Sequence, residues 1–521
     1  MKLRKITALL LCALMAAALF AGCSNDEKPG NTPSGETKYK EEIIIAIGDE
    51  FTTIDPMETT AESNQIVQDC THDLLTDTSL DTMSNAPELA ESWEMVAPDH
   101  WKVKLKANVK FHDGTILNTD DVLFTLQRAI DGGYGGPSSV VQAIKEIKKI
   151  DDLNFEVFLT KPNVDFNYVM ASNTFAILSK EAFETMPPEE AVAIGTGPWK
   201  FKEFVSGDHV TLERFEECTL YPVPNTKLLT FRMIPEANAR MVALENGEVD
   251  VIMSPNATDF SRLSETDGLQ LLTGDARTQH FIAFNMKNTN SIVTDPKFRL
   301  AVAYGYDKDE AILAAWDGYA RKSTSNMSRD VEYYADIEGI PYDPEKAKSL
   351  FEECGAVGKT ISLVTSDADH RVKLAQNFQA QMAEYGITIT IELMQNSALT
   401  ELNTSDGTTS GVEITIASWT PGMNADYMYR NPLHSEGGRN YCQLADPEID
   451  AMIDAALSEL DKEKRAEKYL ELQNKIVTEV ICWVPIAQHT IAFGAVEGLT
   501  GARLHPGLVH QFKTVELKIE G

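Results

Sequence analysis

The stretch from Pro87 to Leu126 constrains the fold more than any other. Trp101–Leu105 (WKVKL) alternates apolar and polar residues, the two-residue period of a strand with one face buried. Phe111-His112-Asp113-Gly114-Thr115 reads as a turn, with Gly114 free to take a positive φ. Thr119 is placed to cap a helix that carries Val122, Leu123 and Leu126 on one face. The block holds no catalytic constellation, so by itself it specifies packing and not chemistry. At 521 residues the chain exceeds what one core usually organises, and two or more lobes are expected.

Strand and helix patterns continue along the chain. Glu42–Ile47 (EIIIAI) reads as a buried strand, Phe51–Met57 as the loop leaving its carboxyl end, and Ser63–Leu75 as a helix. Loops at strand ends line crevices in open α/β sheets, which makes Phe51 and Thr52 candidates for a cleft wall; Asp55-Pro56 reads as a simple turn. Val140–Ile150 and Phe155–Leu159 form a helix or strand pair around a turn at Asp151-Asp152. Glu236–Glu245 is helical, Asn246-Gly247 closes it with a left-handed cap, and Val249–Met253 returns as a strand, with Arg240 and Glu248 as structural surface charges. Gln279–Met286 precedes a helix capped by Asp295 with Pro296 at its first position; Asp343 and Pro344 repeat that device before Tyr342–Phe351 turns helical. Ile361–Ser366, Leu374–Tyr385 and Ile387–Leu393 give strand, helix, strand, and Val412–Ser418 one more strand. Asp446–Leu460 and Lys464–Val480 are long helices, and Trp483–Ile486 carries the chain back.

The amino terminus has a different character. Lys2–Lys5 is basic, Ile6–Phe20 apolar, and Ala21-Gly22-Cys23 follows at once. The apolar run is too short to cross a bilayer comfortably, so residues 1–22 are expected to be a secretory signal. Small residues before a cysteine resemble the bacterial lipoprotein processing box, which implies a lipidated Cys23 anchored on the extracytoplasmic face of the cell membrane. Ser24–Lys40 reads as a flexible tether. A formal net charge of −33 disfavours nucleic acid and anionic membrane as partners. Cys70, Cys218, Cys354, Cys442 and Cys482 are scattered and odd in number, so buried free thiols are expected, with a disulfide open in an oxidising compartment.

PELAESWE from Pro87, then a strand, then VKFHDGT and DDV, resembles the signature of family 5 of the extracytoplasmic solute-binding proteins, the substrate-binding lipoproteins of peptide and nickel ABC importers. GTGPW at Gly195–Trp199, the helix-GEVD-strand phrase within Phe231–Ile252, and Asp446–Leu460 resemble the same family. The resemblance implies a two-lobed periplasmic-binding-protein-like α/β fold of the large class C type with the ligand cleft between lobes. It places lobe I at roughly 41–280 with 485–521, and lobe II at 281–484. The partners it implies are a peptide or other small solute and the permease subunits, with the chain a monomer and not an enzyme.

Residues that could hold such a ligand sit at strand ends. Ser418–Arg430 (SWTPGMNADYMYR) follows an alternating strand: Trp419 offers a flat apolar wall with Thr420 beside it, and Asp426 a negative charge for an ammonium group. In peptide-binding relatives a Trp-containing loop here includes an Asp that holds the ligand's amino terminus, a role the resemblance extends to Asp426. Thr365–Ala375 (TSDADHRVKLA) opens a helix after a strand, a setting that suits an anion, and either His370 or Arg371 could meet a ligand carboxylate. Other motifs fail on inspection. GAVGKT at Gly355–Thr360 lacks the first glycine of a phosphate loop, Gly132–Gly136 lacks a dinucleotide fingerprint, and His434 with Cys442 is too few ligands for a metal site. No cofactor is implied. A nickel chelate or oligosaccharide receptor is the alternative reading; a lipoprotein hydrolase would need a nucleophile–base pair.

Overall fold

The computed structural model describes residues 38–58, 61–79, 84–132, 143–172, 175–395, 398–399, 401–402, 411–420, 424–504 and 512–519. Tyr39–Lys518 is one compact unit. Residues 1–22, read above as a secretory signal, and Cys23 lie outside the described residues. Among the described residues no helix is long and apolar enough to cross a membrane.

The chain begins with β1 (Glu42–Ile47) and α1 (Glu62–Thr71), then builds an antiparallel layer from β2 (Ala90–Ala97), β3 (His100–Leu105), β4 (Ile144–Lys149) and β5 (Asn154–Leu159), with α2 (Thr119–Asp131) packed on it and the short α3 (Phe166–Val169) after it. It continues through β6 (Trp199–Val205), β7 (His209–Arg214), β8 (Leu228–Met233), α4 (Ala237–Glu245) and β9 (Val251–Met253) into the sixteen-residue β10 (Leu269–Phe284). Beyond it come α5 (Pro296–Gly305), α6 (Lys308–Trp316), β11 (Ala320–Lys322), α7 (Pro344–Glu353), β12 (Thr360–Ser366), α8 (Asp369–Glu384), β13 (Thr388–Met394), β14 (Ile414–Trp419), α9 (Ala425–Leu433), α10 (Pro447–Leu457), α11 (Lys462–Lys475) and finally β15 (Trp483–Val496).

One eleven-stranded sheet runs in the order β13–β12–β14–β10–β15–β9–β1–β8–β7–β6, with β11 added on β15. The antiparallel pair β10 and β15 is its spine. Leu269 to Asp275 face Val496 to Thr490, the ladder breaks between Asp275 and Gln279, and pairing resumes from Gln279 against Gln488. On one side of the break β15 pairs with β9, and on the other β10 pairs with β14. Separate cores flank it. Ile43, Ile45, Trp199, Phe231 and Phe493 fill one, continued under the four-stranded layer by Trp101, Val122, Leu126 and Phe155. Ile282, Phe298, Leu363 and Phe378 fill another, beside a cluster of Phe281, Trp419, Tyr429, Tyr469 and Trp483. At about 1.5–3 kcal/mol per buried large side chain, each side has burial enough to hold itself together.

The opening block folds as its pattern predicts, with one change. The cap of α2 is Asn118, not Thr119: Asn118 Oδ1 accepts from Asp120 N at 2.8 Å, and Asn118 N donates to Asp121 Oδ2 at 2.9 Å. Thr119 Oγ1 donates instead to Asp151 O at 2.8 Å, tying the helix to the β4–β5 turn. Gly114 takes φ +89°. Asp55 does more than turn the chain, because Arg128 of α2 pairs with its carboxylate. Arg240 is structural but not a surface charge; it is buried, and its guanidinium donates to the carbonyls of Ile234, Pro235, Met253 and Ser254.

The quoted motifs converge on a buried ion cluster. Lys513 Nζ lies 2.6 Å from both Asp73 Oδ1 and Glu88 Oε1, with Asp69 at 3.8 Å. Tyr221 Oη donates to Glu88 at 2.6 Å, Thr196 Oγ1 to Asp73 at 2.6 Å, and Leu74 N to Glu88 at 2.7 Å. Glu88 belongs to PELAESWE and Thr196 to GTGPW, so both phrases knit distant segments to the chain's last residues. The helix read to Leu75 ends at Thr71 because Asp73 turns into this cluster. A Cβ on Gly195 would lie 2.1 Å from Thr71 O, so only glycine fits there.

Candidate functional site

The break in the β10–β15 ladder is where side chains from both halves meet. Arg277 and Thr278 sit within it, both buried. Gln488 donates to Ala276 O at 2.9 Å, Gln279 donates to Ser325 O at 2.7 Å, and Ser328 donates to Arg277 O at 2.6 Å. The bonds to Ala276 O and Arg277 O satisfy backbone groups within the interrupted ladder, and the bond to Ser325 O ties the segment after β11 to it.

β12 and β14 run parallel and end side by side, Leu363 facing Ile414. Their carboxyl-end loops therefore open on the same edge, as the strand-end argument requires. Trp419 ends β14, is 8% exposed, and lies with its ring 5.3 Å from that of Tyr427. Its indole Nε1 is buried without a partner. The Thr420 hydroxyl shares a 2.7 Å hydrogen bond with that of Thr278, linking the loop to the ladder break. Asp426 lies in the first turn of α9, which Asn424 caps through Tyr427 N at 2.9 Å. Its carboxylate accepts from Arg430 Nε at 3.0 and 3.1 Å, and Arg430 also reaches Asp454 at 2.9 Å. Burial pushes the Asp426 carboxyl upward and Arg430 opposes this. The expected anchor is thus already partnered from within its own helix.

His370 and Arg371 diverge. Arg371 points inward, donating to Ser366 Oγ at 3.0 Å and to Ser418 Oγ at 2.7 Å, at the ends of β12 and β14. Burial lowers its pKa from the usual guanidinium value. His370 lines a cavity of about 390 Å³ together with Asn256 and Phe260 from one side, Trp316 and Tyr319 from the other, and His489 from β15. The ring of His370 stacks on Trp316 at 5.9 Å, and His280 Nε2 lies 3.1 Å from His489 Nδ1. Burial pushes His370 down to about 4, with Arg371 and His489 adding repulsion, and burial likewise sets His489 at about 4. Two neutral imidazoles, His370 and His489, and the Trp316 indole thus line this cavity, with the buried His280 behind them. Among the described residues no group of three His, Cys, Asp or Glu is arranged to hold a metal ion.

Phe51 is not a wall residue. It is 1% exposed within the core and packs edge-on against Phe204 at 5.1 Å, because the loop turns inward after β1. Thr52 is exposed, and its backbone N–H donates to Asn64 Oδ1 at 3.3 Å. Cys70, Cys218, Cys354, Cys442 and Cys482 are all free thiols.

The sequence reading missed one contact. Asp165, at the start of α3, accepts from Arg465 of α11 at 2.8 Å, and both side chains are about as buried as any in the core, at 3% and 5% exposure. Beside it, burial and the neighbouring Glu332 carboxylate push the Tyr168 hydroxyl up from its ordinary pKa. Arg465 stands one and two turns before Tyr469 and Leu472, on the apolar face of its helix, and a charge on that face was the available signal.

Comparison with known proteins agrees with this architecture. The model of the bacterial extracellular solute-binding proteins, family 5 (middle), matches residues 85–441. The chain is 24% identical over 487 residues to the glutathione-binding protein GsiB of Pectobacterium atrosepticum, covering 91% of this chain and 94% of that one. It is 26% identical over 513 residues to the oligopeptide-binding protein AppA of Bacillus subtilis, covering 92% and 93%. Among solved structures, the ABC transporter substrate-binding protein CtaP of Listeria monocytogenes superposes with a TM-score of 0.82 at 23% identity, covering 92% of this chain and 100% of that one. The fold is that of two-lobed α/β periplasmic binding proteins. The chain belongs to family 5 of the bacterial extracellular solute-binding proteins, whose members bind solutes for ABC transporters rather than transform them.

Proposed function

We propose that this chain captures peptides, from dipeptides to oligopeptides, between its two lobes and hands them to the permease of an ABC importer. The observation that carries the reading is the segment leaving β14, which has Trp419 at the strand end and the part-buried Asp426 carboxylate in the first turn of α9. A peptide ammonium would compete with Arg430 for Asp426, and the ladder break offers hydrogen-bonding groups to an extended backbone. The oligopeptide-binding and glutathione-binding names of two relatives support the same ligand class. We place the lobes at 41–280 with 485–521 and at 281–484, since the irregularities of β10 fall between Asp275 and Phe281. Arg371 and His370 are assigned to the ligand's carboxyl end, Thr420 and Thr52 to the rim, and Cys23 to a lipid anchor that keeps a monomeric receptor on the outer face of the cell membrane.

The test is thermal unfolding of the purified protein with a pool of di- to oligopeptides. Peptides raise the melting temperature through mass action. Asp426→Asn weakens binding about tenfold or more while the ligand-free protein loses under ~1 kcal/mol, the scale of an i,i+4 pair. No shift with the pool, alongside a shift with nickel–histidine or an oligosaccharide, refutes the peptide reading.

A further inference from the structure

Among the described residues, one deeply buried ion pair, Asp165–Arg465, joins the two proposed lobes. Asp165 belongs to the first lobe: the residue after it, Phe166, packs in the core of Trp101, Val103 and Phe155. Arg465 belongs to the second: α11 sends Tyr469 and Leu472 into the core of Trp419 and Trp483. Their contact can exist only when the lobes meet. Arg465 is held ready for it, since its Nε donates to Glu459 O at 2.7 Å within its own lobe. Asp165 is less completely satisfied, because Oδ1 takes the guanidinium while Oδ2 is buried without a partner.

We infer that Asp165 and Arg465 are positioning residues for ligand capture: their pair sets how firmly the lobes shut, and couples closure to proton uptake. A buried ion pair gains Coulomb energy but loses hydration, and with one carboxylate oxygen unsatisfied the loss weighs heavily. The groups facing Asp165 sharpen this. Arg465 and Lys462 of α11 favour its charge, whereas Glu332 and Asp426 oppose it; Tyr168, Tyr333 and Tyr469 complete the surround. Burial, with the two neighbouring acids and against Arg465, pushes the Asp165 carboxyl up to about 7. With the lobes apart, the same carboxyl is hydrated and titrates near its ordinary value of about 3.9. The closed form therefore binds a proton that the open form releases. Acid favours closure, by up to about tenfold per pH unit between roughly 4 and 7, and that advantage is lost as pH rises through 7. The sign is opposite to that of an ion pair broken by acid.

The inference rests on the two-lobed capture reading, but its test needs no ligand and so fails or stands apart from the peptide assignment. Small-angle scattering of the ligand-free protein from pH 5 to 8.5 reports the open and closed populations through the radius of gyration. The wild type is expected to contract on acidification, and Asp165→Asn to give a flat profile. Arg465→Gln leaves a charged Asp165 to be buried alone, so it opens at neutral pH and its contraction on acidification begins at higher pH than in the wild type. Arg465→Lys keeps the charge and follows the wild type. A wild-type radius constant across this range, or an Asp165→Asn profile with the wild-type slope, overturns the inference. Circular dichroism of each variant confirms that the lobes are folded at every pH compared.

Discussion

Replacing Lys513 by Met tests whether the family's phrases act as packing devices. The ammonium sits 2.6 Å from two carboxylates, one fully buried and the other 3% exposed, and is itself 6% exposed. Met matches the stem and removes only the charge. Asp73 and Glu88 then keep the Tyr221 phenol, the Thr196 hydroxyl and Leu74 N–H but lose the ammonium. Breaking a buried pair by deleting one partner costs about 3–5 kcal/mol, since the survivor keeps its desolvation penalty. With about 480 residues melting together, that corresponds to a fall of roughly 3–5 °C in melting temperature, and to about twice as much if the first lobe melts alone. The pH dependence is the sharper part. In the wild type, Lys513 holds the Asp73 carboxyl below its usual value against the effect of burial. A depressed carboxyl contributes stability above its unfolded pKa of about 3.9 and loses it as pH falls through the folded value. In the variant the two carboxyls lose the ammonium that opposes burial and are raised, so protonation restores part of the loss, and the deficit shrinks from pH 8 to pH 5. Urea or thermal unfolding at pH 8, 6.5 and 5 measures it. A shift below 1 °C at pH 8, or an equal deficit at pH 5 and pH 8, refutes the reasoning.

Two further outcomes follow from the packing. Gly195→Ala forces Thr71 O away from a Cβ at 2.1 Å and is expected to cost about 1–3 kcal/mol by chemical denaturation, whereas Gly114→Ala meets no atom within 4 Å and costs only the strain of φ +89°. Trp419→Phe loses no hydrogen bond, because the indole N–H has no partner, so folding stability falls by under ~1.5 kcal/mol while peptide binding, followed by calorimetry, weakens about tenfold.

What could be read from the chain divides by range. Local rules worked: Asp295 and Asp343 cap their helices with Pro296 and Pro344 at the first turn, and Gly247 closes α4 at φ +70°. β1 spans the residues its apolar run predicts. Periodicity placed the start of α8 at Leu374, five residues late, because the turn from Asp369 faces the inter-lobe cavity rather than a core. Of the candidate site, strand-end logic singled out Trp419 and Thr420, which the fold sets at the end of β14, and His370, which it sets beside the Trp316 cavity, whereas the ring of Phe51 obeys hydrophobicity and goes inward. His280 and His489 were unreadable as a pair, since 209 residues separate them and only the β10–β15 ladder brings them together.

The same division explains why recognition and function fall on different residues. Glu88 and Thr196 are recognisable because they sit in ordered phrases, and those phrases are ordered because several segments must meet at one buried ammonium. A substitution there is felt by the whole lobe. Trp419, His370 and Asp165 lie at strand and helix ends, with ring and ion-pair neighbours drawn from other elements or the following loop. On the reading proposed above, changing them alters what the cleft accepts, or how readily it shuts. A chain built this way can keep its fold while its ligand changes, so the cleft residues, and not the signature, carry the information about what is bound.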